Sequence, residues 1–475
     1  MILKIATTEL KQQYRDGVLT TLAVMLTCLL GMTLVARYSS FVDGNRETRE
    51  ASQRVREQWV SQGKKHPHSG AHFGTYVFRH SFPTELLEPG AASFSGTTFP
   101  LVTHSRSFPA DVPIDSHSTL TRYGELSPGV LGLALLSLFT ILSGYGVVAL
   151  ERQNGTIQLL LASGASPGAI LVGKIAGLGV AIGSLWLVKC LLEAAFVAAA
   201  QGASGRSIDV WLRFAGYQGV QLAYVLLWIA GTVTVSALIH RPRVALVVLL
   251  SFWIGNTILL PRVASTAIRL LIPEPSAEEF FGAIKHDIAF KPDGTEWVNT
   301  WSKQLIAETL QRYGVERIED LPVGYAGVML KGSDAHYEEV YGRHFERLHE
   351  LHRRQEQWHH WLSFLGPWVA ARSVMEGFAG SDITHLSRFS NAAEQYRRRF
   401  VESTNDAAEH QGKGTGWELE VGRPFWESIP DFQYDPPSAG WAVRQHLEGL
   451  GVLAAWAVLA LAGLAISVSR LERQS

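Results

Sequence analysis

Six apolar runs, each near or beyond the roughly 18 residues that cross a hydrocarbon core, constrain this chain more than any other feature. They occupy residues 18–36 (VLTTLAVMLTCLLGMTLVA), 130–150, 175–200, 220–239, 244–260 and 447–468. A backbone in lipid must satisfy its hydrogen bonds internally, so runs of this length read as membrane-spanning helices. The first run has the look of a signal peptide. The ARYSSF that follows it offers no small-x-small cleavage site, so it reads as a retained helix.

Lys and Arg in the short segments set an orientation. With the N terminus inside, the inner segments carry Lys4, Lys11 and Arg15, then Arg152 and Lys174, then Arg241 and Arg243, then Arg470 and Arg473. Both termini are then cytoplasmic: residues 1–17 before the first span and the tail 469–475 after the last. The hairpin 151–174 and the turn 240–243 also lie inside, while 201–219 is a short outer loop. Two long polar stretches, 37–129 and 261–446, fall outside the membrane. The expected fold class is therefore an all-α polytopic membrane protein of six transmembrane helices with two mainly α or α+β extracytoplasmic insertions. A formal net charge of −1 excludes a nucleic-acid binder driven by bulk electrostatics. The two cysteines, Cys28 and Cys190, both sit in apolar runs, which leaves the polar stretches no disulfide framework.

In the first segment, Leu3, Ala6, Leu10 and Tyr14 share one face of a helix, which suits a helix lying in the inner membrane interface. The first polar stretch opens with a helical pattern (VDGNRETREASQRVREQWVSQG) and continues into Pro- and Gly-rich loops and short strands. The second reads mainly helical: SKQLIAETLQRYG, a long segment stopped by Gly366-Pro367, and a helix through SNAAEQYRRRFVEST. Just after the fifth run, RVASTAIRLLIPEP is too short to cross and reads as an interfacial or re-entrant segment.

GAILVGKI, residues 168–175, matches most of a phosphate-binding loop, G-x-x-x-x-G-K-[ST]. The magnesium-holding Ser or Thr is replaced by Ile175, the loop is apolar, and no buried strand precedes it. Nucleotide chemistry is not in this chain on that evidence. Lys174 reads instead as the entry to the third span, at the lipid headgroups.

The wider stretch ERQNGTIQLLLASGASPGAILVGK, residues 151–174, resembles the cytoplasmic hairpin between the second and third spans of ABC-2-type transporter permeases. That family has Glu-Arg-x-x-Gly-Thr leading into a short Leu-rich helix, a small-residue turn and a Gly-Lys. Here those positions are Glu151, Arg152, Gly155, Thr156, Leu159, Leu160, Leu161 and Gly173-Lys174. HPHSGAHFGTYVF (66–78) and LGPWVAARSVMEGFAGSDITHLSRFSNAAEQYRRRF (365–400) are similar to a subfamily with large extracytoplasmic domains of unassigned function. The resemblance implies a non-catalytic permease subunit in a bacterial inner membrane, moving an unidentified substrate by export or extraction. It implies no cofactor on this chain, with ATP and Mg used by a separate nucleotide-binding ATPase. It further implies a second permease, as homodimer or related heterodimer, and a coupling role for Glu151, Arg152, Gly155, Thr156 and Leu159 to Leu161. Membrane lipid surrounds the spans, and a periplasmic partner would dock outside. Two other readings stay open: a mechanical device that acts on a periplasmic partner without transport, and a membrane-anchored metal-binding protein.

Of seventeen histidines only His240 lies outside the two polar stretches. His66, His68 and His72 fall within one heptad and fit either a transition-metal site or, more plainly, a turn packed against its domain, since Pro67 separates the first two. His349-Glu350-Leu351-His352 is one residue short of the H-E-x-x-H spacing of zinc peptidases. His352, Glu356 and His360 share a helix face at i, i+4, i+8 and read as solvated surface. In the third run Lys189 and Glu193 stand four apart. They fit a translocation lining, a subunit interface, or charges snorkelling to the outer surface.

Overall fold

The computed structural model describes residues 1–15, 17–72, 74–110, 126–202 and 207–473. Residues 111–125 of the first polar stretch, 203–206 of the short outer loop and 474–475 of the tail lie outside the described residues. The described chain is mostly helical and contains six helices long and apolar enough to cross a membrane, as expected of an integral membrane protein.

Helix α1 (Ile2–Arg15) leads to α2 (Val18–Val60), a single rod of 43 residues, about 64 Å long, which carries the first span straight into the polar stretch. After α3 (Pro67–His72), an antiparallel pair of β1 (Thr75–Phe78) and β2 (Thr98–Leu101) is registered with Thr75 opposite Leu101. The second span is α4 (Pro128–Gly144), then an interruption at 145–148, then α5 (Ala149–Gln153) and α6 (Thr156–Ala162). Helix α7 (Pro167–Gln201) and α8 (Ile208–Leu238) form the next two.

The fifth is α9 (Pro242–Ile254) joined through a π-turn at Gly255–Leu259 to α10 (Leu260–Leu271). RVASTAIRLLIPEP is therefore not a separate interfacial or re-entrant segment: its helical part continues the fifth helix. The wider π-turn accommodates Pro261, which lacks the N–H of a regular helical turn. Its buried Asn256 donates to the Tyr224 hydroxyl (3.1 Å) and accepts the Trp368 backbone N–H (3.1 Å), fastening this helix to α8 and to the polar half.

The second polar stretch folds as α11 (Ala277–Ala289), α12 (Trp297–Tyr313), α13 (Tyr325–Ser363), α14 (Pro367–Ala379), α15 (Ile383–Gln411), α16 (Arg423–Ser428) and α17 (Ala439–Gln445), before the last span α18 (Leu447–Glu472). The stop at Gly366-Pro367 falls between α13 and α14, and Gly314, with φ 65°, ends α12.

Two cores stack along the bundle. One joins Ile5, Leu22, Phe139, Ile157, Leu178, Ala237 and Leu471, so α1, the 151–174 hairpin and the C-terminal end of α18 share one end. The other joins Leu30, Leu87, Leu133, Tyr217, Trp368 and Phe378, where the spans meet both polar stretches. Helices α4 and α8 are central, whereas α2, α9–α10 and α18 leave most of their apolar surface uncovered.

Candidate functional site

The hairpin end is built around Lys174. Its Nζ lies 2.5 Å from Glu151 Oε1 and 2.8 Å from Glu9 Oε2, and the lysine is only 4% exposed. The reading of Lys174 at the lipid headgroups is thus corrected: the protein supplies two carboxylates and encloses the ammonium. Glu9 also accepts from Gln13 Nε2 (2.9 Å), which donates in turn to the Ser143 carbonyl (2.8 Å). The buried face of α1 is Ile5, Glu9 and Gln13, while Leu3 and Tyr14 are exposed. Ala6 and Leu10 are half-buried between these two faces, and the side of α1 turned to α7 sets the polar Glu9 and Gln13 beside the apolar Ile5. Gly173 and Gly177 permit this approach, because a Cβ at Gly177 would sit 2.8 Å from the Ala6 carbonyl and 2.6 Å from Glu9.

Arg152 donates from Nη2 to the Ala237 carbonyl (2.8 Å) at the end of α8. Ser236 Oγ accepts both backbone N–H groups of Val148 and Ala149 (3.0 and 3.1 Å), which satisfies the donors freed where the second span is interrupted. Glu151 and Arg152 hold the base of the hairpin rather than its tip. Beyond Gly155, left-handed with φ 77°, α6 buries Ile157, half-buries Leu160 and Leu161, and presents Thr156, Gln158 and Leu159 outward, Leu159 at 71% exposure. Gly164, with φ 86°, turns the chain back into α7. Neither Glu9 nor Ser236 was singled out in the sequence, although Gly173-x-x-x-Gly177 is a small-residue spacing that marks close helix contact.

Lys189 and Glu193 are both fully buried, 2.6 Å apart, with Gln218 Nε2 donating to the same Glu193 oxygen at 2.6 Å. They face α8 inside the chain, so snorkelling to the outer surface is corrected. Burial of both charges is tolerable because each meets the other and a further donor lies in reach.

At the opposite end of α8, Arg213 donates from Nε to Asp209 (2.9 Å) and from Nη2 to the Pro437 carbonyl. Its Nη1 lies 3.4 Å from His385 Nε2, whose Nδ1 meets Asp382 Oδ1 at 2.8 Å; Asp382 Oδ2 meets His446 Nε2, also at 2.8 Å. Burial pushes the Asp382 carboxyl up, but hydrogen bonds from His385 and His446 outweigh it and hold the group well below the usual carboxylate range. Glu356 nearby has its pKa pushed up to about 7 by burial and then by Asp382. His352 meets Glu274 (3.4 Å) and His360 approaches Glu448 (3.9 Å), so the His352, Glu356, His360 face does not converge on one point.

The histidines regroup between the two polar stretches. His68, His72 and His104 place ring nitrogens within 4.8 Å of one another. His66 is not among them: it precedes the first residue of α3, and its ring packs on Trp417 at 4.9 Å between centroids. His104 joins from beyond β2. Asp334 on α13 lies 2.6 Å from His104 Nδ1, and Asn405 on α15 lies 3.2 Å from His68 Nδ1 through Oδ1 and 2.6 Å from Asp334 through Nδ2. Burial, then His104 and His72, push the His68 pKa down to about 4; burial and then His104 also lower that of His72. A separate cleft of about 640 Å³, lined by residues of both polar stretches but by none of these three histidines, is walled by Trp59, Phe78, Phe389, Tyr396, Phe432 and Tyr434.

A family model described as a domain of unknown function, DUF3526, matches residues 283–435, within the second polar stretch. That segment carries Asp334 and Asn405 but none of the three converging histidines. No curated protein matches the chain.

Proposed function

We propose that this chain is the membrane subunit of an ABC-2-type transporter, driven by a separate nucleotide-binding ATPase that docks on the tip of α6. The observation that carries the reading is the division of labour in the hairpin. Its base is tied to three helices, through Lys174 with Glu9 and Glu151 and through Arg152 on the Ala237 carbonyl, while its tip offers an exposed Leu159 beside Thr156 and Gln158. A push on such a tip is passed to α7 and α8 rather than dissipated in a loose loop. Glu151 and Arg152 act here as positioning residues, and Leu159 as the contact.

In this reading the hairpin, α1 and both termini face the cytoplasm of a bacterial inner membrane, and the polar stretches stand outside. Six spans form half of a working unit. The uncovered apolar faces of α2, α9–α10 and α18 meet lipid and a second permease. The aromatic cleft is the surface offered to substrate for export or extraction. The mechanical-device reading draws support from α8, which is anchored at both ends: Ser236 and the Ala237 carbonyl at the hairpin, Arg213 on the Pro437 carbonyl at the polar half. Movement of α8 then reaches the outer domains directly.

The test is gentle extraction of the tagged full chain from its native membrane, with identification of what co-purifies. A phosphate-loop ATPase held by the wild type and lost from Leu159→Glu is the expected result. An intact oligomer with no ATPase in either sample overturns the proposal.

A further inference from the structure

The hydrogen bonds around His68, His72 and His104 determine which ring nitrogens carry protons. Asp334 is a carboxylate held by two neighbours, and as an ionised group it only accepts. The Asn405 nitrogen must therefore be the atom 2.6 Å from Asp334 Oδ2, which turns Asn405 Oδ1 toward His68 Nδ1. An amide oxygen accepts, so His68 Nδ1 carries the proton and His68 Nε2 is a bare lone pair. By the same argument His104 Nδ1 donates to Asp334 at 2.6 Å, which in the neutral imidazole that ligates a metal puts the lone pair on Nε2. His72 Nε2 stands 3.0 Å from His68 Nε2, and it has one proton at most to offer on that side. Ring nitrogens of all three histidines lie within 4.8 Å of one another, and the one proton His72 Nε2 has to offer meets at most one lone pair of the other two rings.

A cation answers all of them. We propose that His68, His72 and His104 bind a divalent late first-row transition ion, of which Zn(II) is the representative, with a fourth position open to solvent on the side of the exposed His72. Ligand atoms within 4.8 Å of each other can surround an ion at the roughly 2.0–2.1 Å typical of Zn–N bonds. An all-imidazole set selects Zn(II), Cu(II) or Ni(II) over Mg(II) and Ca(II), which take oxygen ligands. Asp334 and Asn405 are the outer partners that fix ring orientation and tautomer, the usual companions of ligating histidines.

The ligands and their outer partners come from different parts of the chain. His68, His72 and His104 belong to the first polar stretch, Asp334 and Asn405 to the second. Affinity for the ion therefore depends on α13 and α15 being docked against α3 and the β-pair, and metal loading in turn fastens that junction. The acidic group Asp406, Glu409 and His410 differs: Lys331 already bridges both of its carboxylates.

The experiment uses the full chain in detergent, stripped by chelator and dialysed against Zn(II) or Co(II). Wild type is expected to retain one Zn(II) per chain and to give the intense visible bands of tetrahedral Co(II). His72→Ala and His104→Ala are each expected to weaken Zn(II) binding by about 100-fold or more, and Asn405→Ala by about 10–100-fold. His66→Asn, which tests the sequence-local heptad against the spatial trio, leaves binding unchanged. The proposal is overturned if stripped wild type takes up no Zn(II), or if the His72→Ala/His104→Ala double variant binds as wild type does. A Co(II) spectrum showing only the weak octahedral bands of a water-ligated ion in the wild type overturns it as well, without reliance on any variant folding.

Discussion

The hairpin end and the histidine junction handle polar groups in opposite ways. At the hairpin, protein groups answer one another: Lys174 meets two carboxylates, Gln13 bridges Glu9 to a carbonyl, and Ser236 accepts two orphan N–H groups. What the hairpin turns outward at its tip is apolar, the exposed Leu159. At the junction Asp334 and Asn405 orient the rings of His104 and His68, and three imidazoles bring ring nitrogens together, so what is gathered there is polar and directed. An exposed leucine on a braced tip suits docking of a protein surface, and converging imidazole nitrogens suit an ion.

The largest effect that would sharpen this contrast is Lys174→Met. It strands Glu9 and Glu151 in a buried site, and a loss of about 3–5 kcal/mol is expected, read as a fall in the detergent melting temperature with separation of α1 from α7. Wild-type melting in this variant would mean that the ion cluster does not brace the hairpin. Next is Gly177→Val, where the new side chain meets the Ala6 carbonyl and Glu9. Overpacking of this kind costs about 1–3 kcal/mol, and proteolysis of α1 should quicken accordingly.

A smaller effect concerns pH. The Glu356 carboxyl has a folded-state pKa of about 7 against an ordinary value of 4.5, so between these values the folded state holds a proton that the unfolded chain releases. Stability is then fullest below about 4.5 and declines as pH rises to about 7. Glu356→Gln should melt with wild type near pH 4.5 and exceed it at pH 8 by on the order of 1–2 kcal/mol, allowing for solvent screening. Equal gains at both pH values would assign the effect to packing instead. Smallest is Leu159→Glu, which should alter the melting temperature by no more than about 0.5 kcal/mol equivalent, because the side chain touches little of its own protein.

The apolar runs were legible because length and composition alone mark a span. The hairpin was legible as a pattern, but its internal roles were not. The apolar stripe of Leu3, Ala6, Leu10 and Tyr14 on α1 was legible as the face of a helix lying in the membrane interface, and Leu3 and Tyr14 are exposed while Ala6 and Leu10 are half-buried. The stripe said nothing of the other side of the helix, where Glu9 turns inward to Lys174 and Gln13 to Glu9. The heptad His66, His68, His72 held two members of the trio, since Pro67 starts a helix that puts His68 and His72 on one face at i, i+4 and leaves His66 outside. His104 carried no local signal, because only the pairing of β1 with β2 folds it back to α3. The buried surroundings of Lys189 and Glu193 were equally invisible: Gln218 approaches from a different helix, 25 residues further along the chain.

The central claim is that a nucleotide-hydrolysing partner meets the α6 tip and no part of the polar half. A photo-crosslinking residue placed at Leu159, and separately at the exposed Val298 on α12, tests this in native membranes. The account predicts an adduct with a phosphate-loop ATPase from position 159 and none from position 298. No ATPase adduct from 159, or the same adduct from 298, would contradict it.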